Sequence, residues 1–307
     1  MPKAILQNLE QRLRSGHFVL TAEATPPVSC DAADLLKKAE PLRGLAAAVN
    51  ITDGAGARAH MSAVAAAALL LQWDIEPVLQ LSCRDRNRIA LQSELIGAAA
   101  LGVRNVLLLG GDQPSAGDQP DAKGVFDLDA RTLTETARGI RDQHKLPTGQ
   151  PVDGKASFFL GAADAPIDPP PGWQPDALKA KVAAGAQFVQ TQFCMDADVV
   201  RRYVARLVEA GLTKQLFILI GVNPLRSAKS AQWMRHHLFG TIIPDSIIAR
   251  LEKAADPAAE GREICLALIE ELSTIPGVAG AHIMAPGNDA AVPEVIRAAR
   301  ARVARAA

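Results

Sequence analysis

Eight short apolar segments alternate with longer segments of helical periodicity along the chain, and this alternation limits the fold more than any other feature. Alternating strands and helices predict a parallel sheet with helices packed against it. The count of eight predicts a single (β/α)8 TIM barrel over residues 1–307, because barrels of this length occur as one domain. An open doubly wound sheet is the alternative that the alternation leaves open.

The predicted strands cover residues 18–22, 48–51, 78–81, 105–109, 157–160, 188–192, 216–220 and 278–283. The predicted helices cover residues 32–40, 59–73, 86–101, 130–143, 176–184, 197–210, 228–237, 260–272 and 292–305. Two long loops, 110–128 and 161–175, follow predicted strands, whereas 144–154 precedes one. Because barrel active sites form at the carboxyl ends of the strands, the first two loops are expected beside such a site.

Composition excludes several classes of function. The chain has 49% hydrophobic and 21% charged residues, which is typical of a globular protein. Its 33 basic and 33 acidic residues cancel, so no excess of positive charge points to nucleic acid or to an anionic membrane. The longest apolar run, 63–71, is too short to span a membrane, and the amino terminus resembles no secretory signal. A cytoplasmic protein is therefore expected.

The cysteines and histidines predict no metal site. Cys30, Cys83, Cys194 and Cys265 lie far apart and show none of the short spacings of zinc ligands. We expect them to be small buried side chains rather than nucleophiles, although Cys83 and Cys194 fall where predicted strands end.

Polar residues collect at the carboxyl ends of the predicted strands, where a barrel would bring them to one rim. They are Glu23 after strand 1, Thr52 and Asp53 after strand 2, Ser82, Arg84, Asp85 and Arg86 after strand 3, Asp112 after strand 4, and Gln190 and Gln192 in strand 6. The two glutamines alternate with apolar residues, so both face the same side of their strand.

Each of these residues also has a structural interpretation. Asp53 and Asp85 are placed to cap the next helix, and Asp112 follows two glycines as in a simple turn. Glu23 is the strongest functional candidate. A carboxylate inside an apolar strand needs a partner or a raised pKa, and such a group can serve as a general acid.

No standard nucleotide-binding motif accompanies these residues. The segment GGDQPSAGDQP lacks the Gly-Lys-Ser/Thr of a phosphate loop, and no GxGxxG follows the first strand. Backbone amides in barrel loops can still bind a phosphate-bearing cofactor, so this absence excludes little.

In these segments the sequence resembles the methylenetetrahydrofolate reductase family, whose members are flavin-dependent (β/α)8 barrels. The resemblance rests on six segments in order: TAEATPP, VNITDGAGARAHMS, the strand into CRDRNR, NVLLLGGDQP with VFDLD after it, KVAAGAQFVQTQF and FILIGVNPL. Each segment alone is weak evidence for the family, but together the six segments cover most of the chain in order.

The resemblance implies a role for six positions. Glu23 matches the general acid that protonates folate nitrogen 10, and Asp112 matches the aspartate beside the flavin that hydrogen-bonds the pterin. Gln192 matches a glutamine that contacts the pterin. Thr52 and Lys181 match flavin-binding positions, and Ala186 aligns with a backbone contact to the flavin.

The implied reaction converts 5,10-methylenetetrahydrofolate to 5-methyltetrahydrofolate, in one-carbon metabolism and methionine biosynthesis. NADH or NADPH reduces FAD, and the reduced flavin passes hydride to the ring-opened folate. Folate and a nicotinamide nucleotide are thus the expected small-molecule partners. Whether the protein forms a homo-oligomer or is a subunit of a larger complex is left open by the sequence.

The chain also departs from the bacterial members of the family. Gln80 stands where they carry a histidine, and Gly110 stands where they carry an arginine. GAADAPIDPP replaces their loop after strand 5, and IMAPGN lacks their arginine near the last strand. The residues expected to substitute for the missing cofactor contacts are Arg84, Asp85, Arg86 and Lys123, since basic side chains near the pocket can neutralise a pyrophosphate.

These departures keep two alternatives open. One is a flavin-free barrel that handles a methyl-pterin, either as a reductase or in methyl transfer linked to a corrinoid protein. The other is a non-catalytic folate-binding subunit, which the joint presence of Glu23, Asp112 and Gln192 disfavours.

Overall fold

The computed structural model describes residues 8–306, and over this range eight parallel strands close into a barrel. Each strand pairs with its neighbours in chain order, and the first closes the ring against the last. The strands are β1 (Val19–Ala24), β2 (Val49–Ile51), β3 (Pro77–Ser82), β4 (Asn105–Leu109), β5 (Phe159–Asp164), β6 (Phe188–Phe193), β7 (Phe217–Val222) and β8 (Val278–Ile283). The predicted (β/α)8 barrel is confirmed, and the open sheet is wrong.

Helices surround the barrel, and the first of them lies beneath its amino end. They are α1 (Leu9–Arg14), α2 (Ala32–Ala39), α3 (Ala63–Gln72), α4 (Arg88–Ala100), α5 (Ala130–Gln143), α6 (Asp176–Ala184), α7 (Ala197–Glu209), α8 (Ala228–His237), α9 (Asp245–Lys253), α10 (Pro257–Leu272) and α11 (Val292–Ala306). The predicted segments agree with these bounds to within a few residues, except in β5 and in two helices that the prediction omits.

β5 begins and ends later than predicted. The segment that forms it contains Gly161, Ala162 and Ala163, whose small side chains do not mark a strand by propensity. A Cβ added to Gly161 would lie 2.3 Å from the ring of Phe188, its partner on the neighbouring strand, so the glycine leaves the space that this ring occupies. Pairing with β4 and β6 decides the strand bounds here.

The sequence analysis omits α1 and α9. α1 has only six residues, and its Asn8 and Gln11 side chains form a reciprocal capping box. α9 follows Pro244 and buries Ile247, Ile248 and Leu251, a spacing typical of one helix face. That apolar spacing was a signal for α9, whereas α1 is too short for its periodicity to be read.

The amino end of the barrel has an apolar floor. Side chains from six strands meet there, and Leu9 and Leu13 of α1 pack beneath them. Strand residues in the floor include Val19, Val78, Leu107, Phe159, Phe188 and Leu219. The rings of Phe159 and Phe188 stack with their centroids 4.9 Å apart. α1 therefore closes this end of the barrel.

Three of the four cysteines are buried, as expected, but Cys30 is exposed because it lies in the loop between β1 and α2. Burial raises the pKa of Cys83 to about 11 and that of Cys194 to about 12. Both thiols are therefore protonated near neutral pH and poor nucleophiles.

Candidate active site

A cavity of about 390 Å³ opens at the carboxyl ends of the strands. This is the rim at which barrel enzymes build their active sites. Its polar lining comes from several elements: Glu23 of β1, Gln80 of β3, Asp164 of β5, Gln190 and Gln192 of β6, His282 of β8, and Lys181 of α6. Polar side chains from separate parts of the sequence thus converge on one concave surface.

Glu23 is held by side chains from two other strands. Gln80 Nε2 donates a hydrogen bond to Glu23 Oε2 at 3.2 Å, and His282 Nε2 lies 3.8 Å from the same oxygen. The Glu23 side chain keeps 20% of its surface exposed, whereas that of His282 keeps 3%. The carboxyl is therefore fixed from behind and remains open toward the cavity.

A cluster of four buried polar side chains lies behind Glu23. Gln190 reaches across the barrel from β6 and pairs with Asn50 of β2 through both amide groups, at 2.6 and 3.1 Å. Gln190 Nε2 also donates to Thr21 Oγ1 at 3.1 Å, and Thr21 Oγ1 lies 2.9 Å from His282 Nδ1. We call these four residues the buried polar cluster. Such a cluster is tolerated in a barrel only when its hydrogen bonds are satisfied.

Lys181 and Asp164 form a charged pair on the wall of the cavity. Lys181 Nζ donates to the Ala163 carbonyl oxygen at 2.6 Å and lies 3.4 Å from Asp164 Oδ1. The Tyr203 hydroxyl donates to the other oxygen of Asp164. Burial and the charge of Asp164 raise the pKa of Tyr203, so its phenol stays protonated. Lys181 is thus fixed in place with its charge partly balanced.

Gln192 and Phe239 mark the outer edge of the cavity. Gln192 Nε2 donates to the Phe239 carbonyl oxygen at 3.1 Å, and its Oε1 accepts from the Phe193 amide at 3.0 Å. Phe239 is 91% exposed, although exposing an aromatic ring to water is unfavourable in free energy. An exposed ring at the mouth of a polar cavity can cover an aromatic ligand. Sequence analysis did not single out Phe239.

A second cavity, of about 410 Å³, lies at the same rim among the loops that follow β2, β3 and β4. Arg84 and Arg86 line it, but both guanidinium groups already have partners. Arg84 forms two hydrogen bonds with Asp85, each 2.7 Å, and donates to the Gly54 carbonyl oxygen. The bonds to Asp85 raise the pKa of Arg84. Arg58 also lines this cavity and is exposed.

Asp53 ties the ends of β2 and β3 together. It accepts hydrogen bonds from the backbone and hydroxyl of Ser82, at 2.8 and 2.9 Å. It also accepts two bonds from Arg86, at 2.7 and 3.0 Å. The structural interpretation of Asp53 and Asp85 as helix caps is wrong, because α3 and α4 begin after Ser62 and Asn87 instead.

The other predicted positions fall in different surroundings. Thr52 is buried, and its hydroxyl has no hydrogen-bond partner among the described residues. Asp112 is exposed at the same rim and is not among the residues that line either cavity. Gly111 before it has φ +92° and packs close to Arg84 Cβ, which only glycine permits. Ala186 is buried in the α6–β6 connection at the amino end of β6, on the opposite rim.

A third cavity, of about 520 Å³, lies at that opposite rim. Glu76 lines it, and burial raises the pKa of this carboxyl. Glu76 accepts hydrogen bonds from the Leu9 amide and from Asn105 Nδ2, so it fastens α1 to the barrel. We assign Glu76 a structural role on these contacts.

Sequence analysis missed Asn50 and His282. Each is a polar residue inside an apolar strand, the same signal that identified Glu23. Their contacts with Gln190 cross the barrel interior, and no spacing along the chain reports such a distance.

The described part of the chain lacks two kinds of feature. No helix there is both long enough and apolar enough to cross a membrane. Within residues 8–306, no three His, Cys, Asp or Glu side chains are grouped as metal ligands would be.

Comparison with known proteins adds evidence from most of the chain. The sequence model of the methylenetetrahydrofolate reductase family matches residues 8–300. A probable methylenetetrahydrofolate reductase (NADPH) of Caenorhabditis elegans is 27% identical over 243 residues, which cover 76% of this chain and 33% of that protein. A probable methylenetetrahydrofolate reductase (NADH) of Oryza sativa is 25% identical over 82% of this chain and 42% of that protein. The chain thus spans less than half the length of these relatives.

Solved structures share the fold at low sequence identity. An uncharacterized protein from Clostridium thermocellum that binds two copies of 5-methyl-5,6,7,8-tetrahydrofolic acid superposes with a TM-score of 0.65 and 13% identity. The match covers 95% of this chain and 98% of that one. EDTA monooxygenase from Chelativorans sp. BNC1 superposes with a TM-score of 0.55 and 13% identity, over 93% and 94% of the two chains. At this identity the matches show the barrel fold alone.

Proposed function

Since this chain belongs to the methylenetetrahydrofolate reductase family, we propose that it reduces 5,10-methylenetetrahydrofolate to 5-methyltetrahydrofolate with NADH or NADPH, through FAD. The observation that carries the proposal is the placement of Glu23 and Gln192 on one cavity at the carboxyl rim. Because the chain spans less than half of its relatives, the proposal concerns the chemistry of this barrel.

Glu23 is the proposed general acid. Both of its contacts involve Oε2, which accepts from Gln80 and faces His282. An oxygen that already accepts an N–H is a poor place for the acid proton, so the proton of the neutral carboxyl belongs on Oε1. Oε1 can then deliver that proton to a folate nitrogen in the cavity, which opens the five-membered ring.

Gln192 is the residue proposed to hydrogen-bond the pterin. Its amide makes one bond through Nε2 and one through Oε1, so a second N–H and a second lone pair remain for a ligand. A pterin edge presents both donors and acceptors, which a fixed amide can match. Asp112 is proposed as a second pterin contact at the same rim, which requires its exposed loop to close over the ligand. The folate-binding neighbour supports a ligand of this class.

The residues at the rim fit FAD only in part. The Thr52 hydroxyl, which has no hydrogen-bond partner within residues 8–306, and the anchored Lys181 amine are the proposed contacts to the flavin ring. Ala186 is unsuited because it lies on the opposite rim. The pyrophosphate of FAD has weaker partners, because the positive charges of Arg84 and Arg86 are each neutralised by an aspartate. When bound, the flavin would accept hydride from the nicotinamide and supply it to the opened folate.

We therefore expect FAD to bind weakly. The purified protein should lose its flavin absorbance on extensive dialysis and regain activity when FAD is added back. The measurement is a visible spectrum before and after dialysis, followed by turnover assays with methylenetetrahydrofolate and either nucleotide. Absence of folate reduction under every combination would overturn the proposed function.

The paired arginines also favour a second candidate, a flavin-free reductase in which hydride passes directly from the nicotinamide to the folate. The same experiment separates the two. Activity that persists in fully dialysed protein, and that added FAD does not raise, supports the flavin-free reaction.

Gln192→Ala should raise the KM for the folate by about two- to tenfold and leave the KM for the nicotinamide nearly unchanged. One lost hydrogen bond to a neutral ligand group corresponds to about 0.5–1.5 kcal/mol. Steady-state kinetics with each substrate varied in turn provide the measurement. Gln143→Ala, which removes an exposed amide at the end of α5, is the matched control. An equal rise in both Michaelis constants would refute the assignment of Gln192 to the pterin.

A further inference from the structure

The buried polar cluster behind Glu23 has an arrangement that bears on the reaction. All four members are at most 3% exposed, and they come from β1, β2, β6 and β8. Polar groups so deep in a barrel cost free energy unless every one is hydrogen-bonded. Their pairing therefore indicates which atoms donate and which accept.

The amide pair sets the direction of the hydrogen bonds. Asn50 Nδ2 donates to Gln190 Oε1, and Gln190 Nε2 donates back to Asn50 Oδ1. The second N–H of Gln190 points to Thr21 Oγ1 at 3.1 Å. Having accepted that bond, the Thr21 hydroxyl is free to donate its own proton to His282 Nδ1, 2.9 Å away.

A second contact favours His282 Nδ1 as the acceptor of the Thr21 proton. Gln190 Nε2 also lies 3.3 Å from Nδ1, and an amide nitrogen has no lone pair to offer to an N–H. A ring that accepts at Nδ1 carries its proton at Nε2. The contacts of Thr21 and Gln190 with Nδ1 thus favour the tautomer that carries its proton at Nε2.

The other side of the ring gives the same assignment independently. Glu23 Oε2 already accepts an N–H from Gln80, so it presents an acceptor to His282 Nε2. A protonated Nε2 matches that oxygen, whereas a bare Nε2 would place two lone pairs against each other.

We propose that His282 is a positioning residue for Glu23, held by Thr21, Asn50 and Gln190 so that its Nε2–H faces Oε2 and leaves Oε1 to carry the acid proton into the cavity. This inference rests on the proposed role of Glu23 as proton donor. His282 lies in the cavity wall with only 3% of its side chain exposed, and in this scheme it acts through the carboxyl of Glu23.

The geometry indicates what His282 does during the reaction. When Glu23 gives up its proton, negative charge develops on the carboxylate. The 3.8 Å gap between Nε2 and Oε2 is then expected to shorten to a charge-assisted hydrogen bond. Catalytic hydrogen bonds are often long before the substrate binds. Gln80 and His282 together thus stabilise the carboxylate that proton transfer leaves behind.

Nuclear magnetic resonance tests the tautomer without any assay of activity. The chain has six histidines, and protein labelled with ¹⁵N-histidine gives a separate pattern for each ring. The pattern missing from His282→Gln identifies His282. We expect it to show the proton on Nε2 and to shift in Glu23→Gln. A proton on Nδ1, or on both nitrogens, would overturn the inference.

Two substitutions of His282 test its effect on Glu23. His282→Leu should slow folate reduction by about ten- to a hundredfold, the value of one hydrogen bond to a charged group, and leave nicotinamide oxidation unchanged. His282→Gln should recover at least part of this loss, because its amide N–H can reach Oε2. His17→Gln, an exposed histidine before β1, is the control. Equal rates in the Gln and Leu variants, or equal loss of both half-reactions, would show a role in packing only.

The two kinds of measurement separate the inference from the proposed function. If the wild-type protein reduces no folate, the proposed function fails. The tautomer and its response to Glu23→Gln then still decide whether His282 holds Glu23. If folate reduction is present and the His282 proton lies on Nδ1, the inference fails alone.

Discussion

Glu23→Gln should abolish folate reduction and leave reduction of the flavin by NAD(P)H intact. The amide keeps the size of the side chain and can still accept from Gln80 through its oxygen. It has no acid proton to give, and general acid catalysis contributes about 10²–10⁴-fold. Stopped-flow measurement of the two half-reactions, with FAD added, tests this directly.

Glu76→Gln is the matched control for this variant. It makes the same change at a half-buried carboxyl on the opposite rim, where Glu76 contacts Leu9 and Asn105. Both half-reactions should keep their wild-type rates. If Glu23→Gln slows the two half-reactions equally, Glu23 supports the site as a whole and is not the proton donor.

Asp53→Ala should cause the second large effect, a loss of about 3–5 kcal/mol in the free energy of unfolding. The side chains of Asp53 and Arg86 are only 7% and 17% exposed, and removing Asp53 from this largely buried pair leaves Arg86 only the longer contact with Glu94, at 3.7 Å. The Ser82 backbone amide and hydroxyl lose their acceptor as well. The ends of β2 and β3 would no longer be held together, so activity should fall with stability.

Chemical denaturation of the variant measures this loss. Asp168→Ala is the control, because Asp168 and Arg202 form a comparable two-bond pair in water, with side chains 59% and 52% exposed. That variant should unfold at nearly the wild-type denaturant concentration, since exposed pairs contribute little. Equal denaturation midpoints for the two variants would show that Asp53 does not stabilise the fold by joining the ends of β2 and β3.

The fold was predictable because strand and helix periods alternate so regularly, and the family resemblance drawn from short motifs is confirmed by the match over residues 8–300. Glu23 and Gln192 were predictable for a local reason. A polar residue that alternates with apolar neighbours in a strand must face the barrel interior or its mouth. The roles of both residues stay predictions.

The partners of Glu23 could not be predicted in the same way. Gln190 was identified, but its bonds to Asn50 and Thr21 depend on the width of the barrel and on side-chain length. Asp53 was interpreted as a helix cap because its position after a strand suits that role. The ion pair with Arg86 forms instead, 33 residues along the chain, and no local pattern signals it.

The apolar floor beneath the barrel also limits how its ligands come and go. Leu9 and Leu13 pack against the inner side chains at that end, with Glu76 fastening the Leu9 backbone. Over residues 8–306 the barrel interior is therefore closed at its amino end, and a ligand reaches it through the cavity at the carboxyl rim. If two large reactants bind in turn in the cavity at the carboxyl rim, the first must leave through the same opening by which the second enters. Exchange of ligands through that opening, as much as the chemistry in the cavity, would then set the order of the binding and release steps.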